Sequence, residues 1–479
     1  MNKVLEPKEV FDIFQQICLI PRPSKHEERI SQWLVDFAKE HHIDCYQDEA
    51  LNVIMRVPAT PGYEDHEGVI LQAHMDMVCE KNKDVQHDFM HDPIDIYVDG
   101  DDLRAKGTTL GGDDGIGVSM ALAALTSKTL QHPALEALFT VDEETGLTGA
   151  FKLKEGCLKG TKLINLDSED DGQIFIGCAG GIDTLAKMHY AIYTPEWKEE
   201  PFAFRLNVKG LIGGHSGDDI NKGRANANKI IVNFLYSLKD LNLHLAAIEG
   251  GNLRNAISRE AEAVFAVAGS RKHEVVARFN AYKAEVEAQF AAIEKDMDLR
   301  LESCPLPEGF IDGADQLIEA LYYCPHGMIA MCKDMPGLVE TSTNLASVKM
   351  KDGYIEVNTS QRSSVEAEKH KVKDEVERVL ATACDEVTHG DGYPGWAPNI
   401  HSSLMQVTKK AYEELFHDEP KVLAIHAGLE CGLFLEKYPY LDMVSIGPQM
   451  SGVHSPQERL SISSTGRCWR WLCRVIESL

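Results

Sequence analysis

Leu138-Phe139-Thr140-Val141-Asp142-Glu143-Glu144-Thr145-Gly146 runs from a short apolar segment straight into three acids. The first half has the length and composition of a buried strand. The second half cannot leave water without a cation or hydrogen-bond donors beside it. An isolated Glu-Glu pair is usually a solvated turn. The reading of this stretch therefore depends on whether other strands of the chain end in the same way.

Several do. The apolar run 68–73 ends in His74-Met75-Asp76, and the run 162–166 ends at Asp167. The run 442–446 leads into a loop, 451–456, that carries His454. Gly111-Gly112-Asp113-Asp114-Gly115 opens a small-residue helix over 116–125. Strands alternating with helices of these lengths predict a largely parallel α/β sheet. In such a sheet the loops at the strand carboxyl ends share one edge, where ligands bind. His74, Asp113, Glu143, Glu144, Asp167 and His454 are all expected there.

Outward from this frame, Val4, Val10, Phe11, Ile13, Phe14 and Ile17 predict an amphipathic first helix. Helical spacing recurs over 25–39, and 51–57 reads as a strand. The segment 81–106 is polar and reads as irregular. The pattern changes at Gly180-Gly181. A strand (202–210), a Gly-Gly-His-Ser-Gly turn at 213–217, helices at 223–239 and 271–297, strands near 299–303, 343–350 and 353–360, and a helix at 365–387 follow. This block reads as a second domain, 182–394, inserted into a first formed by 1–181 and 395–479. After the linker 390–395, a helix (402–416), a strand (421–425), the glycine-rich turn 426–432, a strand (442–446) and a helix (464–477) restore the first pattern. The expected fold class is thus α/β: a mixed, largely parallel sheet in the catalytic domain, with an inserted α+β lid domain. No internal repeat is visible.

Composition narrows the function. A chain of 479 residues with 44% hydrophobic residues can build two or three cores. No apolar run approaches the ~20 residues that cross a bilayer. A net charge of −27 disfavours nucleic acid and anionic membranes as partners and suits cations. The twelve cysteines are scattered with no C-x-x-C spacing, as expected of buried thiols in a reducing cytoplasm.

Two imidazoles and several carboxylates with no thiolate suit zinc, manganese or cobalt in an N/O site. Five ligands exceed what one tetrahedral zinc needs if a position is to stay open. Two ions sharing a bridging carboxylate use them economically, and such a pair can hold a hydroxide and polarise a carbonyl. Asp76 can reach back to the second nitrogen of His74 and fix its tautomer. Taken singly these residues say little: Asp113-Asp114 could simply cap a helix, and His215 could be only a turn residue.

Together, His-Met-Asp at 74–76, Gly-Gly-Asp-Asp-Gly-Ile-Gly at 111–117, Asp-Glu-Glu-Thr-Gly at 142–146, Leu-Asp-Ser-Glu at 166–169 and Gly-Val-His-Ser-Pro-Gln-Glu at 452–458 closely resemble the dinuclear-zinc exopeptidases. That family includes carboxypeptidase G, the aminoacylases, peptidase T and the bacterial dipeptidases. The resemblance implies that His74 and Asp167 hold one ion, that Glu144 and His454 hold the other, and that Asp113 bridges. It makes Asp76 the orienter of His74 and Glu143 the general base, with a cis peptide bond between Asp113 and Asp114. In the inserted domain it makes His215 the residue that approaches the scissile carbonyl, Asn255 a substrate ligand and Arg362 the clamp on the substrate's C-terminal carboxylate. Glu430 would meet the free amino group. The ions implied are zinc first, with manganese or cobalt as alternatives. The implied protein is a cytoplasmic homodimer hydrolysing unblocked dipeptides, Xaa-His among them.

One departure stands out: many relatives carry Asp-x-Lys-Gly where this chain has Asp113-Asp114-Gly115-Ile116. The competing readings are an N-acyl-amino-acid deacylase with the same chemistry and a catalytically silent metal-dependent binding protein. The latter should have lost Glu143 or a ligand, and none is lost. Strand alternation is expected to send Glu143 and Glu144 to different tasks, leaving Asp142 as a structural residue.

Overall fold

The apolar runs that end in acids or histidines become neighbouring strands of one sheet. In a computed structural model describing residues 5–479, eight strands lie in the order Asp44–Gln47, Val53–Val57, Leu135–Thr140, Val69–His74, Lys162–Asn165, Asp442–Ser445, Gln173–Cys178 and Lys421–Ile425. The middle four are parallel to one another. Antiparallel partners flank them on both sides. The sheet is mixed and largely parallel, as expected from the sequence. Leu135–Thr140 and Val69–His74 are buried along their whole lengths, because helices cover both faces of a parallel sheet. One of these helices, Gly112–Thr126, is buried from Gly112 through Leu125. The first helix, Lys8–Ile17, packs against it through Val10, Phe11, Ile13, Phe14 and Ile17; Val4 lies outside the described residues.

All of this sheet but the terminal residues Cys178 and Ile425 belongs to a unit made of the chain up to Gly177 together with Trp396–Ala424 and Leu429–Leu479. A second unit comprises Cys178–Gly395 and Ile425–Gly428. Among the described residues no helix is long and apolar enough to cross a membrane. All twelve cysteines are free.

The segment 81–106 is not irregular throughout, contrary to the expectation. It contains the hairpin Ile96–Asp99 and Asp102–Ala105, which joins Arg459–Ser461 and Met450–Ser451 in a four-stranded sheet. Its pairing partners lie about 350 residues away in sequence, and its alternation is only half-buried, so local pattern could not reveal it.

The second unit contains a repeat that the sequence does not show. Gly180–His189, Ala314–Tyr323, Val339–Lys351, Tyr354–Ser363, Glu366–Leu380 and Glu386–His389 form a β-α-β-β-α-β array. Its strands lie in the spatial order fourth, first, third, second. Between its first strand and first helix is nested a second array of the same kind: Pro201–Lys209, Ala227–Ser237, His244–Gly250, Ala261–Ala268, Lys272–Phe290 and Asp298–Ser303. Its strands take the same order. The two arrays join through their second strands, Gly250 facing Val348, into one antiparallel sheet. Helices of both arrays share a core that includes Ile231, Phe234, Leu317 and Leu321. The repeat is one of topology: burial needs apolar residues at matching spacings, not matching identities.

Candidate active site

Parallel strands in one direction bring their carboxyl ends to one edge, and in the first unit that edge collects the expected groups. His74 is the last residue of Val69–His74 and is buried. Its Nε2 lies 3.0 Å from Asp113 Oδ1 and 3.4 Å from Asp167 Oδ1. His454 stands at φ +60° in its loop. Its Nε2 lies 3.1 Å from Asp113 Oδ2 and 3.0 Å from Glu144 Oε2. The two oxygens of Asp113 thus face two different imidazoles. Each imidazole has a second carboxylate of its own, Asp167 for His74 and Glu144 for His454.

Such an arrangement fits metal ions. Ligand atoms bound at about 2.0–2.2 Å to one tetrahedral ion stand a little over 3 Å apart, which is the spacing seen here. Glu144 Oε1 is buried with no hydrogen-bond partner, a costly state that an ion relieves. His74, Asp113 and Glu144 offer ligand atoms within 4.8 Å of one another. His74, Asp114 and Asp167 meet the same criterion, but Asp114 is otherwise engaged. Its Oδ1 caps the following helix at Gly117 N (3.1 Å), and its Oδ2 accepts from His74 N (3.2 Å). The peptide between Asp113 and Asp114 is cis.

The electrostatics describe the same demand for positive charge. Hydrogen bonds to Asp113 and Glu144 push His454 up to about 11. Burial opposes a charge on His74, yet Asp167, Asp113 and Asp76 together raise its pKa well above the usual value. Burial likewise opposes ionisation of Asp113, but His454 and His74 hold it far below the carboxylate range. Burial lifts Asp167 to about 7. Glu169, near Asp113 and His454, is lifted to about 7 by burial first and Asp113 second.

The acids that opened the sequence reading separate here, though not by strand alternation. The strand stops at Thr140, Asp142 turns the chain at φ +51°, and Glu143–Gly146 is a single helical turn. Glu143 and Glu144 diverge because helical neighbours point about 100° apart. Asp142 is structural: it accepts from the hydroxyls of Thr145 and Thr148. Asp76 organises the group. Its Oδ1 lies 3.2 Å from His74 Nδ1, close enough for charge pairing though not aligned as a hydrogen bond. The same carboxylate accepts the amides of Glu143 (3.1 Å) and Glu144 (3.3 Å) and the hydroxyl of Ser24 (2.8 Å). Burial, reinforced by Asp167, Glu430 and Glu144, raises Glu143 well above the ordinary glutamate value.

Glu430 is fully buried. Its Oε2 accepts from Gln72 Nε2 (2.6 Å) and Thr140 Oγ1 (2.7 Å), while Oε1 has no partner. Burial pushes it up to about 8. The remaining expected residues lie in the second unit. His215 pairs with Ala256 in a short two-stranded ladder, and Asn255 is exposed beside it, its carbonyl accepting from Ser216 N at 2.8 Å. His215 Nδ1 lies 3.2 Å from Asp218 Oδ2. His215 first, then Arg362 from further off, hold Asp218 below the usual carboxylate range. Arg362 is buried on Tyr354–Ser363 and donates from Nη1 to Tyr393 Oη at 3.0 Å.

Two residues that the sequence reading gave no role grip the site. Glu458 accepts the amides of Leu110 (2.7 Å), Gly111 (3.1 Å), Gly112 (2.8 Å) and Asp113 (3.5 Å). Arg22 donates to the carbonyls of Met75 (3.0 Å), Asp76 (2.6 Å) and Gly111. Glu458 had a signal, its place four residues after His454; Arg22 had none.

The model of peptidase family M20/M25/M40 matches residues 70–478. The chain is 41% identical over 478 residues, 99% of its length and 98% of the relative's, to the cytosol non-specific dipeptidase of Escherichia coli (strain K12). Its structure superposes on aminoacylhistidine dipeptidase from Vibrio alginolyticus with a TM-score of 0.93 at 40% identity, covering 99% and 97% of the two chains. Aminopeptidase PepT from Bacillus cereus shares the fold alone, with a TM-score of 0.57 at 14% identity over 99% of both chains. A family match over most of the chain and a full-length relative at 41% identity place this protein in peptidase family M20/M25/M40.

Proposed function

We propose that the protein is a metallo-dipeptidase of the cytoplasm, acting as a homodimer on unblocked dipeptides, Xaa-His among them. The observation that carries this reading is Asp113, whose two oxygens each face a different imidazole that is backed by its own carboxylate. These residues would hold two divalent ions: His74 and Asp167 one, Glu144 and His454 the other, with Asp113 shared. Zinc is the first assignment, manganese and cobalt the alternatives. Such a pair, when bound, acidifies a water and polarises the scissile carbonyl.

The chain's own groups do the rest. Glu143, with its raised proton affinity, takes the proton from water and passes it to the departing amine. Asp76 sets the orientation of His74 and, through their amides, of Glu143 and Glu144. We assign His215 to the developing oxyanion, Asn255 to the substrate backbone, Arg362 to the C-terminal carboxylate and Glu430 to the free amino group. The full-length dipeptidase relatives favour this reading over a deacylase.

A dipeptide and its N-acetylated form, tested against the zinc- and manganese-loaded enzyme, decide between the two. Only the free form should turn over. Glu143→Ala should keep both ions and lose about 10²–10⁴-fold in kcat, whereas His454→Ala should lose one ion by metal analysis. Near-normal turnover in the first variant, or full occupancy in the second, would overturn the assignments.

A further inference from the structure

His426, the first residue of the glycine-rich turn 426–432, sits in the second unit with Arg362. Both are buried, 5% and 8% exposed. Its Nε2 lies 2.7 Å from Ser342 Oγ. Ser342 and Arg362 face each other directly across neighbouring antiparallel strands. Side chains of directly opposed residues stand on one face about 5 Å apart, so the imidazole lies over the face from which Arg362 projects. Tyr393 Oη accepts from Arg362 Nη1 at 3.0 Å and completes the group.

This assembly is short of an anion. Arg362 Nε is buried without a hydrogen-bond partner, and His426 Nδ1 is buried with no aligned one, although the Val339 carbonyl lies beside the imidazole. Among the described residues no carboxylate lies within 4.0 Å of the Arg362 guanidinium, Asp218 acting on it only from a distance. A buried unpaired cation is costly, and polar atoms left open in such a place mark where a ligand completes the set. Burial, aided by Arg362, holds His426 down at about 4, so the ring is neutral at working pH. A neutral ring with Nε2 accepting from the Ser342 hydroxyl carries its proton on Nδ1 and presents one N–H donor.

We propose that His426, oriented by Ser342, is a second recognition residue for the substrate's C-terminal carboxylate and donates from Nδ1 beside Arg362. This rests on the dipeptidase reading and deepens it: the enzyme would demand a free carboxylate because two buried groups need it, not one.

Alanyl-histidine and its C-terminal amide test the idea by steady-state kinetics. His426→Ala should raise KM for the free acid about tenfold to a hundredfold, the worth of one hydrogen bond to a charged group. It should leave kcat within about threefold and KM for the amide unchanged. His426→Asn, which keeps an N–H near the Nδ1 position, should recover most of the loss, and Ser342→Ala should fall between. Equal rises for acid and amide, or no rise, would overturn the role of His426. Calorimetric titration of free histidine into wild type and His426→Ala reads the same pocket without turnover. Weaker binding to the variant supports the proposal; equal affinity overturns it. A wild-type enzyme that cleaves no unblocked dipeptide would instead remove the dipeptidase reading beneath it.

Discussion

The amides of Leu110, Gly111, Gly112 and Asp113 converge on the single carboxylate of Glu458, and the Gly111 carbonyl is held from the other side by Arg22. Asp113 must direct its two oxygens at two imidazoles, and that is possible only if the backbone beneath it cannot rotate. Residues that orient ligands in this way are worth about 10–100-fold in metal affinity or activity. Glu458→Gln keeps the shape but turns an amide N–H₂ toward backbone donors. It should weaken zinc binding and kcat/KM by that order, read by metal titration and kinetics, with a smaller effect on melting. Wild-type zinc affinity in this variant would show that the loop holds its own shape. At this scale the sequence disclosed residue types and order: His74 at a strand end, Asp113 in a glycine-rich turn that opens a helix and His454 in a loop, each a polar group set directly against apolar or small-residue runs. Arg22 stayed hidden: its partners are backbone carbonyls, which any sequence supplies.

Elements decide where those residues point. Glu143 and Glu144 part company because a single helical turn follows Asp142, a feature too short for periodicity to detect. The two arrays of the second unit meet at a seam where Gly250 faces Val348. There Asn228 donates to the carbonyls of Leu345 and Ala346, next to a bulge between Leu345 and Ser347. Gly251 turns the chain away at φ +68°, and a Cβ added to it would stand 1.9 Å from the Ala346 carbonyl oxygen. Gly251→Ala therefore combines a left-handed backbone with a clash against a neighbouring strand. It should cost at least about 2 kcal/mol, measured by denaturant unfolding. A loss under about 0.5 kcal/mol, that of an ordinary surface change, would mean that the seam yields freely.

The whole molecule adds a dependence on acid. Unfolded, a histidine takes up its proton near pH ~6.5; folded, burial and Arg362 keep His426 neutral down to about pH 4. Across that window the unfolded chain binds more protons. Stability should therefore fall as the pH drops from about 6.5 to about 4, by up to about 3 kcal/mol from this residue. Thermal melts over that range should steepen in wild type and flatten in His426→Asn; parallel curves would show that the imidazole titrates normally. The chain by itself determined the fold class and which histidines and acids stand at the ends of the apolar runs. Buried parallel strands read as apolar runs, and histidines and acids gathered at the ends of such runs carry the donor chemistry of a metal site. Only tertiary structure decided the pairing of each imidazole with its own carboxylate, the hairpin within 81–106 and the nested repeat of the second unit. It also brought Ser342 to both His426 and Arg362. Each of these joins residues far apart in sequence, and the energies that select such contacts depend on distances and orientations that no local pattern records.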